Sequence, residues 1–304
     1  MRPPNSQTWQ SHAVAQQTLQ AGAQAHQQGR LQDAESAYLK VLANSPMNVD
    51  ALYLLGVVSN QLGDFNRGAA CLSRALELRP DFTNALVMMG DSLRALGDLE
   101  GASHCYNRAL QLDANIAEAY FGLGNIAQAA GAFTEAAPLF ENAIRLRPAF
   151  FEAMSSCGLA LQMAGRLSEA VKHFEDAVAI QPDYVDAVCN LGICKQGLGE
   201  FDVALAAYEK ALSLNDALPQ IYSNRCVVLH ALGRLDEALA SADQAVALDP
   251  NFAAAHYNAG RTLATMGRLD EALKRYDRAL SIDANLPDVH AHRADAVARM
   301  EAKA

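Results

Sequence analysis

The amino-acid sequence predicts an all-α protein built from stacked helical hairpins. Three observations predict this class: a 34-residue period without insertion or deletion over residues 15–286, small residues at fixed places in that period, and a composition that is 51% hydrophobic but only 7% aromatic. A period of this length is typical of one helix–turn–helix unit. Because a single unit cannot bury its own apolar side, such units stack on one another.

The first element of the period is a glycine that ends a helix. Glycine accepts the left-handed backbone conformation found at helix ends, because it carries no Cβ. The residue recurs at Gly29, Gly63, Gly97, Gly131, Gly165, Gly199, Gly233 and Gly267. The sequence therefore predicts a turn between two helices at each of these eight places.

Small residues on either side of that turn indicate where the two helices approach each other. Seven residues before it stand Gly22, Gly56, Gly90, Gly124, Gly158, Gly192, Cys226 and Gly260, and five residues after it stand Ala34, Gly68, Ala102, Ala136, Ala170, Ala204, Ala238 and Ala272. Aromatic rings recur nine residues after the turn in most units. Gly68, which replaces alanine, and Pro138, inside a second helix, are predicted to be local weak points, with Thr134 capping the helix that contains Pro138.

A 34-residue helical hairpin with small residues at its eighth, twentieth and twenty-seventh positions resembles the tetratricopeptide repeat. The resemblance implies a right-handed α-solenoid of eight repeats with a C-terminal capping helix, in which the first helix of each repeat lines a concave groove. The expected repeats are 15–48, 49–82, 83–116, 117–150, 151–184, 185–218, 219–252 and 253–286. Residues 1–14 form an N-terminal segment whose Trp9 is expected to pack as a cap, and residues 287–304 form the capping helix.

Charge and hydropathy exclude several classes of function. The formal net charge of −10 disfavours a general nucleic-acid or acidic-membrane binder, which would need a basic face. No run approaches the roughly 20 apolar residues of a membrane-spanning helix, and the N-terminus lacks the apolar stretch of a signal peptide. We therefore expect a cytoplasmic protein without membrane insertion, whose six cysteines are small buried thiols.

The sequence contains no catalytic motif in the structural context that such a motif requires. A GxGxxA match lies at residues 122–127, but it falls inside a predicted helix with no strand before it. No phosphate-binding loop, zinc-protease motif or nucleophile elbow is found. We predict no enzymatic activity, no catalytic residues, no cofactor and no metal.

Asparagines recur at one groove position. In this repeat family the second, fifth, sixth, ninth, twelfth and thirteenth positions of the first helix face the groove, and the sixth position is asparagine in the last three repeats: Asn190, Asn224 and Asn258. This row resembles the asparagine ladder in the repeats of O-linked N-acetylglucosamine transferases, whose amides hold a peptide backbone. An amide both donates and accepts hydrogen bonds, so it can pair with any peptide unit. Asn125, at a ninth position, joins this predicted peptide-binding set; simple tolerance of surface asparagine is the alternative.

Two further groove features are expected to contact a partner. Apolar side chains in the early repeats predict a patch of Tyr53, Leu54, Val57, Val87, Met88 and Phe121. Acidic second positions predict a rim of Asp50, Glu118, Glu152 and Asp186 that favours basic partners. The alternatives are that neighbouring segments half-cover the patch and that the rim is only a solvated edge.

Taken together, these features favour a scaffold or adaptor that binds an extended segment of a partner protein, or of another copy of itself. The alternative is the substrate-recruiting arm of a larger bacterial glycosyltransferase or sulfotransferase, which the resemblance also allows. Position five of the first helices carries no lysine, so the family variant that grips the C-terminal carboxylate of chaperone tails is not expected.

Overall fold

The computed structural model describes the backbone of residues 6–302 and the side chains of residues 14–302. The chain divides into two compact units, Met1–Pro148 and Ala149–Ala304. Each unit is a stack of antiparallel helix pairs, and the part of the chain that is described contains no strand. The core of each unit lies between the two layers of helices.

The first unit contains four helix pairs. Its helices are α1 (Ser6–Gln27), α2 (Leu31–Asn44), α3 (Val49–Gln61), α4 (Phe65–Leu78), α5 (Thr83–Ala95), α6 (Leu99–Leu112), α7 (Ala117–Ala129) and α8 (Phe133–Leu146). α1 begins at Ser6, so it extends into the segment that was expected to precede the repeats. The side chain of Trp9, the expected cap, lies outside the described residues.

The second unit contains four further pairs and a closing helix. Its helices are α9 (Phe151–Met163), α10 (Leu167–Ile180), α11 (Val185–Gly197), α12 (Phe201–Leu214), α13 (Pro219–Ala231), α14 (Leu235–Leu248), α15 (Ala253–Thr265), α16 (Leu269–Ile282) and α17 (Val289–Glu301). Val289 and Ala296 of α17 are fully buried against α15 and α16. The remaining side chains of α17 are mostly polar, which suits the end of a stack.

Every helix pair turns at a glycine with positive φ. The eight predicted turn glycines all adopt φ between 72° and 85°, as the sequence predicts. At each of them an added Cβ would meet open space, so the requirement is conformational and not steric. The one positive-φ residue other than glycine in the described chain is Asp288, immediately before α17.

Six of the seven glycines at the eighth position face the ring of the paired helix, and Gly56 faces Leu72. A Cβ added to Gly192 would lie 2.6 Å from Cε1 of Tyr208, and one added to Gly260 would lie 2.6 Å from Cε1 of Tyr276. Both tyrosines are completely buried. The close helix contact predicted from the small residues is therefore present, and its physical basis is an aromatic ring lying flat against a helix backbone.

One pair departs from this arrangement on both of its helices. In α13 and α14 the two positions are occupied by Cys226 and Ala242, both buried. Sγ of Cys226 lies 3.7 Å from Oγ1 of Thr262 on the next first helix. This helix pair therefore lacks both the glycine and the ring, and the sequence periodicity shows both exceptions.

The predicted weak point at Pro138 differs from expectation at the helix start. The residue before α8 that takes the N-cap position is Ala132, which offers no side-chain hydrogen bond, and Thr134 lies inside the helix. Pro138 therefore stands at the sixth residue of α8, and the helix continues through it. The repeat period, and not a local capping residue, sets this helix boundary.

No helix among the described residues combines the length and the apolar character needed to cross a membrane.

Candidate functional site

The first helices of neighbouring pairs form one continuous layer within each unit. In the described residues of the first unit, α1, α3, α5 and α7 contact one another in sequence, and in the second unit α9, α11, α13, α15 and α17 do so. The second helices have no such contacts with each other. The first helices are therefore the more closely spaced layer. The predicted site residues all belong to these helices.

The three asparagines of the predicted row differ in environment. Asn190 and Asn224 are half-buried, and neither side chain hydrogen-bonds to another described residue. Asn258 is only 9% exposed, and its Nδ2 donates to Oγ of Ser223 on the preceding first helix at 2.9 Å. Asn258 thus differs from the freely accessible amide expected there, because the fifth position of the neighbouring repeat is a serine that accepts its hydrogen bond.

Asn125 lies half-buried on α7, within the GxGxxA match. Both glycines of that match face rings: a Cβ on Gly122 would lie 2.4 Å from Cζ of Tyr106, and one on Gly124 would lie 2.6 Å from Cε1 of Phe140. Glycine at these two places allows α7 to pack closely against Tyr106 of α6 and Phe140 of α8.

The apolar patch surrounds a cavity in the first unit. Tyr53, Val87 and Met88 line a space of about 240 Å³ together with Asn84, Ile116 and Glu118. Within the predicted patch, the side chains of Tyr53, Leu54, Val57, Met88 and Phe121 are half-buried. Val87 is an exception at 4% exposure, because it packs into the core with Leu86 and Tyr106.

Two of the four rim carboxylates are neutralised by arginines from the same repeat. Asp50 lies 3.5 Å from Nη2 of Arg79, and Glu118 is paired with Arg147. Glu152 and Asp186 have no such ion pair among the described residues, and the equivalent positions there are Gln181 and Asn215. The rim is therefore less acidic than predicted, because the compensating charge stands 29 residues later in the sequence.

A desolvated carboxylate was missed by the sequence reasoning. Asp91, at the ninth position of α5, accepts a hydrogen bond of 2.7 Å from the hydroxyl of Tyr106. Burial raises the pKa of the Asp91 carboxyl, and it also raises the pKa of the Tyr106 hydroxyl above its ordinary value. An acidic ninth position next to a ring at the twenty-fourth was the available sequence signal.

Polar bridges between first helices form a second feature that the sequence reasoning missed. Nδ2 of Asn60 donates to the backbone oxygen of Met88 at 3.1 Å, and Oγ of Ser92 donates to Oδ1 of Asn60 at 2.8 Å. A Cβ on Gly68 would lie 2.0 Å from the same Oδ1. Gly68 is thus the residue that admits the Asn60 amide, and its being a local weak point stays a prediction.

The cysteines are packed thiols. Burial raises the pKa of the Cys194 and Cys226 thiols to about 11, so both stay protonated at neutral pH. Cys189 is half-buried and burial also raises its pKa to about 11. These three groups are poor nucleophiles in this state.

Solved structures with this architecture include several repeat proteins. A chain of the APC/C hetero-tetramer Cut9–Hcn1 is 16% identical with a TM-score of 0.60, and the match covers 88% of this chain and 52% of that chain. YrrB, described as a TPR protein with an unusual peptide-binding site, is 25% identical with a TM-score of 0.55, over 62% of this chain and 98% of its own. MamA is 24% identical with a TM-score of 0.49, over 53% of this chain and 95% of its own.

Models of one protein family match this sequence. No protein of curated function matches the chain significantly. A tetratricopeptide repeat model matches residues 19–81, 123–185 and 189–251, and two further repeat models match residues 90–131 and 229–296. These matches and the consecutive helix pairs confirm the predicted all-α repeat fold. The chain belongs to the tetratricopeptide repeat family.

Proposed function

We propose that this chain is a non-catalytic scaffold or adaptor that binds an extended segment of a protein partner, or of a second copy of itself, across its first helices. The observation that carries the proposal is the pair Asn190 and Asn224. These amides occupy equivalent positions on successive first helices, are half-buried, and hydrogen-bond to no other described residue. An extended peptide offers N–H and C=O groups that such amides can pair with, whatever its side chains.

Similarity to YrrB supports the same use of the fold, because that protein is described as having a peptide-binding site and 98% of its length is matched. The cavity of about 240 Å³ beside Tyr53 and Met88 offers a separate contact within the first unit, which would take an apolar side chain of a partner. A substrate-recruiting arm of a glycosyltransferase or sulfotransferase would use the same amides to hold its substrate. A cytoplasmic location stays a prediction from the sequence.

Selection from a random peptide library tests the proposal directly. The intact chain is immobilised, displayed peptides are enriched on it, and affinities of the recovered peptides are measured by fluorescence anisotropy. Each amide hydrogen bond contributes about 0.5–1.5 kcal/mol net, so the Asn190→Ala/Asn224→Ala double variant should weaken binding by roughly 5- to 150-fold. Its melting temperature should stay close to that of the wild type, because neither amide has a protein partner to lose.

The matched control places the same substitutions on the second helices. Asn44 and Asn107 are exposed, and each amide donates to a carbonyl of its own helix. The Asn44→Ala/Asn107→Ala variant should bind the recovered peptides as the wild type does. Equal affinity of all three proteins would refute the amide contacts, and failure to enrich any peptide would refute the proposed function. Sedimentation of the chain without peptide reports whether a second copy is the partner.

A further inference from the structure

Four repeats place a buried tyrosine at the twenty-fourth position, and its hydroxyl has a hydrogen-bond partner among the described residues in only two of them. In the third repeat Tyr106 donates to Asp91 at the ninth position of the same repeat at 2.7 Å, and in the sixth Tyr208 donates to Oε1 of Gln196 at 2.8 Å. The hydroxyls of Tyr38 and Tyr276 are buried and have no partner among the described residues. A buried donor left without an acceptor is costly, so each such case requires a physical explanation.

The eighth repeat differs from the first in what stands at its ninth position. Beside Tyr38 that residue is Ala23, which offers nothing to bind, whereas beside Tyr276 it is Arg261. Arg261 occupies the repeat position that Asp91 occupies in the third repeat. An acceptor stands at that position in the third repeat, and a donor stands there in the eighth.

Arg261 is a half-buried cation without an anionic partner. No carboxylate of the described residues lies within ion-pair distance of its guanidinium. Its guanidinium carbon stands 5.7 Å from the centroid of the Tyr257 ring, which supports its position from one side. The nearby carboxylate of Asp295 is engaged by Arg299 at 3.4 Å. Burial raises the pKa of the Tyr276 hydroxyl to about 12, and the charge of Arg261 offsets part of this rise. Burial lowers the pKa of His230, and the charge of Arg261 lowers it further.

We propose that Arg261 and Tyr276 form a receptor for the side-chain carboxylate of an Asp or Glu in the bound segment. A carboxylate accepts two parallel hydrogen bonds from one guanidinium and still has lone pairs for a hydroxyl. Small rotations of the flexible Arg261 side chain would open the enclosed Tyr276 hydroxyl to that carboxylate. The inference rests on the proposed function and adds a specificity to it: sequence-tolerant amides at Asn190 and Asn224, followed by a position that selects acid.

The library selection is repeated with Arg261→Gln in parallel with the wild type, using peptides joined to carrier at both ends so that no free terminal carboxylate is present. We expect the wild type to enrich Asp or Glu at one aligned position, and Arg261→Gln to recover peptides without that preference. Enriched peptides without an acidic position would overturn this inference and leave the proposed function standing. Failure of both proteins to enrich any peptide would overturn both.

A recovered peptide and its Glu→Gln or Asp→Asn analogue then quantify the contact. Hydrogen bonds to charged groups contribute about 1.5–3 kcal/mol, so the analogue should bind the wild type roughly 10- to 150-fold more weakly and should bind Arg261→Gln equally well. Equal loss on both proteins would show that the acid contacts another residue.

Tyr276→Phe separates a ligand contact from a structural role. The hydroxyl has no partner in the free protein, so its removal should not lower the melting temperature, but it should weaken binding of the acidic peptide severalfold. Tyr38→Phe is the matched control, because it removes the other buried tyrosine hydroxyl that lacks a partner among the described residues, in a repeat whose ninth position is Ala23 instead of arginine. Unchanged affinity of Tyr276→Phe would remove the hydroxyl from the proposed receptor.

Discussion

Exchange of Cys226 and Ala242 for the glycine and ring used elsewhere tests the packing rule that holds each helix pair together. Cys226 is 1% exposed, so Cys226→Gly removes two buried heavy atoms. That loss costs about 0.8 kcal/mol per buried methylene equivalent, and glycine within a helix costs about 1 kcal/mol more. With the cavity that remains, the single variant should lose roughly 2–3 kcal/mol of unfolding free energy.

Ala242→Tyr should also destabilise when it is made alone. In the other ring-bearing repeats an added Cβ at the eighth position would lie 2.6–2.9 Å from the ring, and Cys226 adds a Sγ beyond its Cβ. The ring cannot take its usual place, and overpacking of this kind costs about 1–3 kcal/mol. In Cys226→Gly/Ala242→Tyr the ring can lie on the glycine as Tyr208 lies on Gly192. We expect the double variant to be at least about 2 kcal/mol more stable than the sum of the single effects predicts.

Urea titration monitored by far-ultraviolet circular dichroism measures this coupling for the wild type, both single variants and the double variant. The reverse exchange in the preceding repeat, Gly192→Cys with Tyr208→Ala, is the matched control and should show coupling of the same sign. Additive losses in both repeats would refute the argument that the glycine and the ring form one packing unit.

Two other predictions follow from buried polar groups. Nε2 of His256 lies 3.2 Å from the oxygen of Pro250 while its Nδ1 is buried without a partner, and burial lowers its pKa, so the folded state favours the neutral ring. This contribution to the free energy of unfolding is complete above about pH 6.5 and is lost as the pH falls toward the lowered pKa. Between pH 8 and pH 5 the melting temperature should therefore fall less steeply for His256→Gln than for the wild type. The control His104→Gln, at an exposed site, should behave as the wild type does. Gly68→Ala should lower the melting temperature by displacing the Asn60 amide, although alanine favours a helix by about 1 kcal/mol over glycine, and a higher melting temperature would contradict this packing.

The sequence by itself determined the fold, because the repeat confines the argument to local chemistry. Gly63 and its seven counterparts reach positive φ, and six of the seven eighth-position glycines meet the ring of the paired helix. These requirements lie within a single 34-residue unit, so the period of the residue types was enough to predict them. The location of the first helices followed from the same period.

Only the tertiary structure decided which of the predicted site residues have a partner within the protein. Asn190, Asn224 and Asn258 look identical in the sequence, yet Ser223 on a neighbouring helix holds the third amide. The rim charge of Asp50 depends on Arg79, and the packing of Cys226 depends on its neighbours in space. Whether a side chain is available to a ligand depends on its contacts with residues that stand 16 to 35 positions away in the sequence. Each contact depends on the identity of both residues. The repeat pattern describes each position separately and therefore does not predict these contacts.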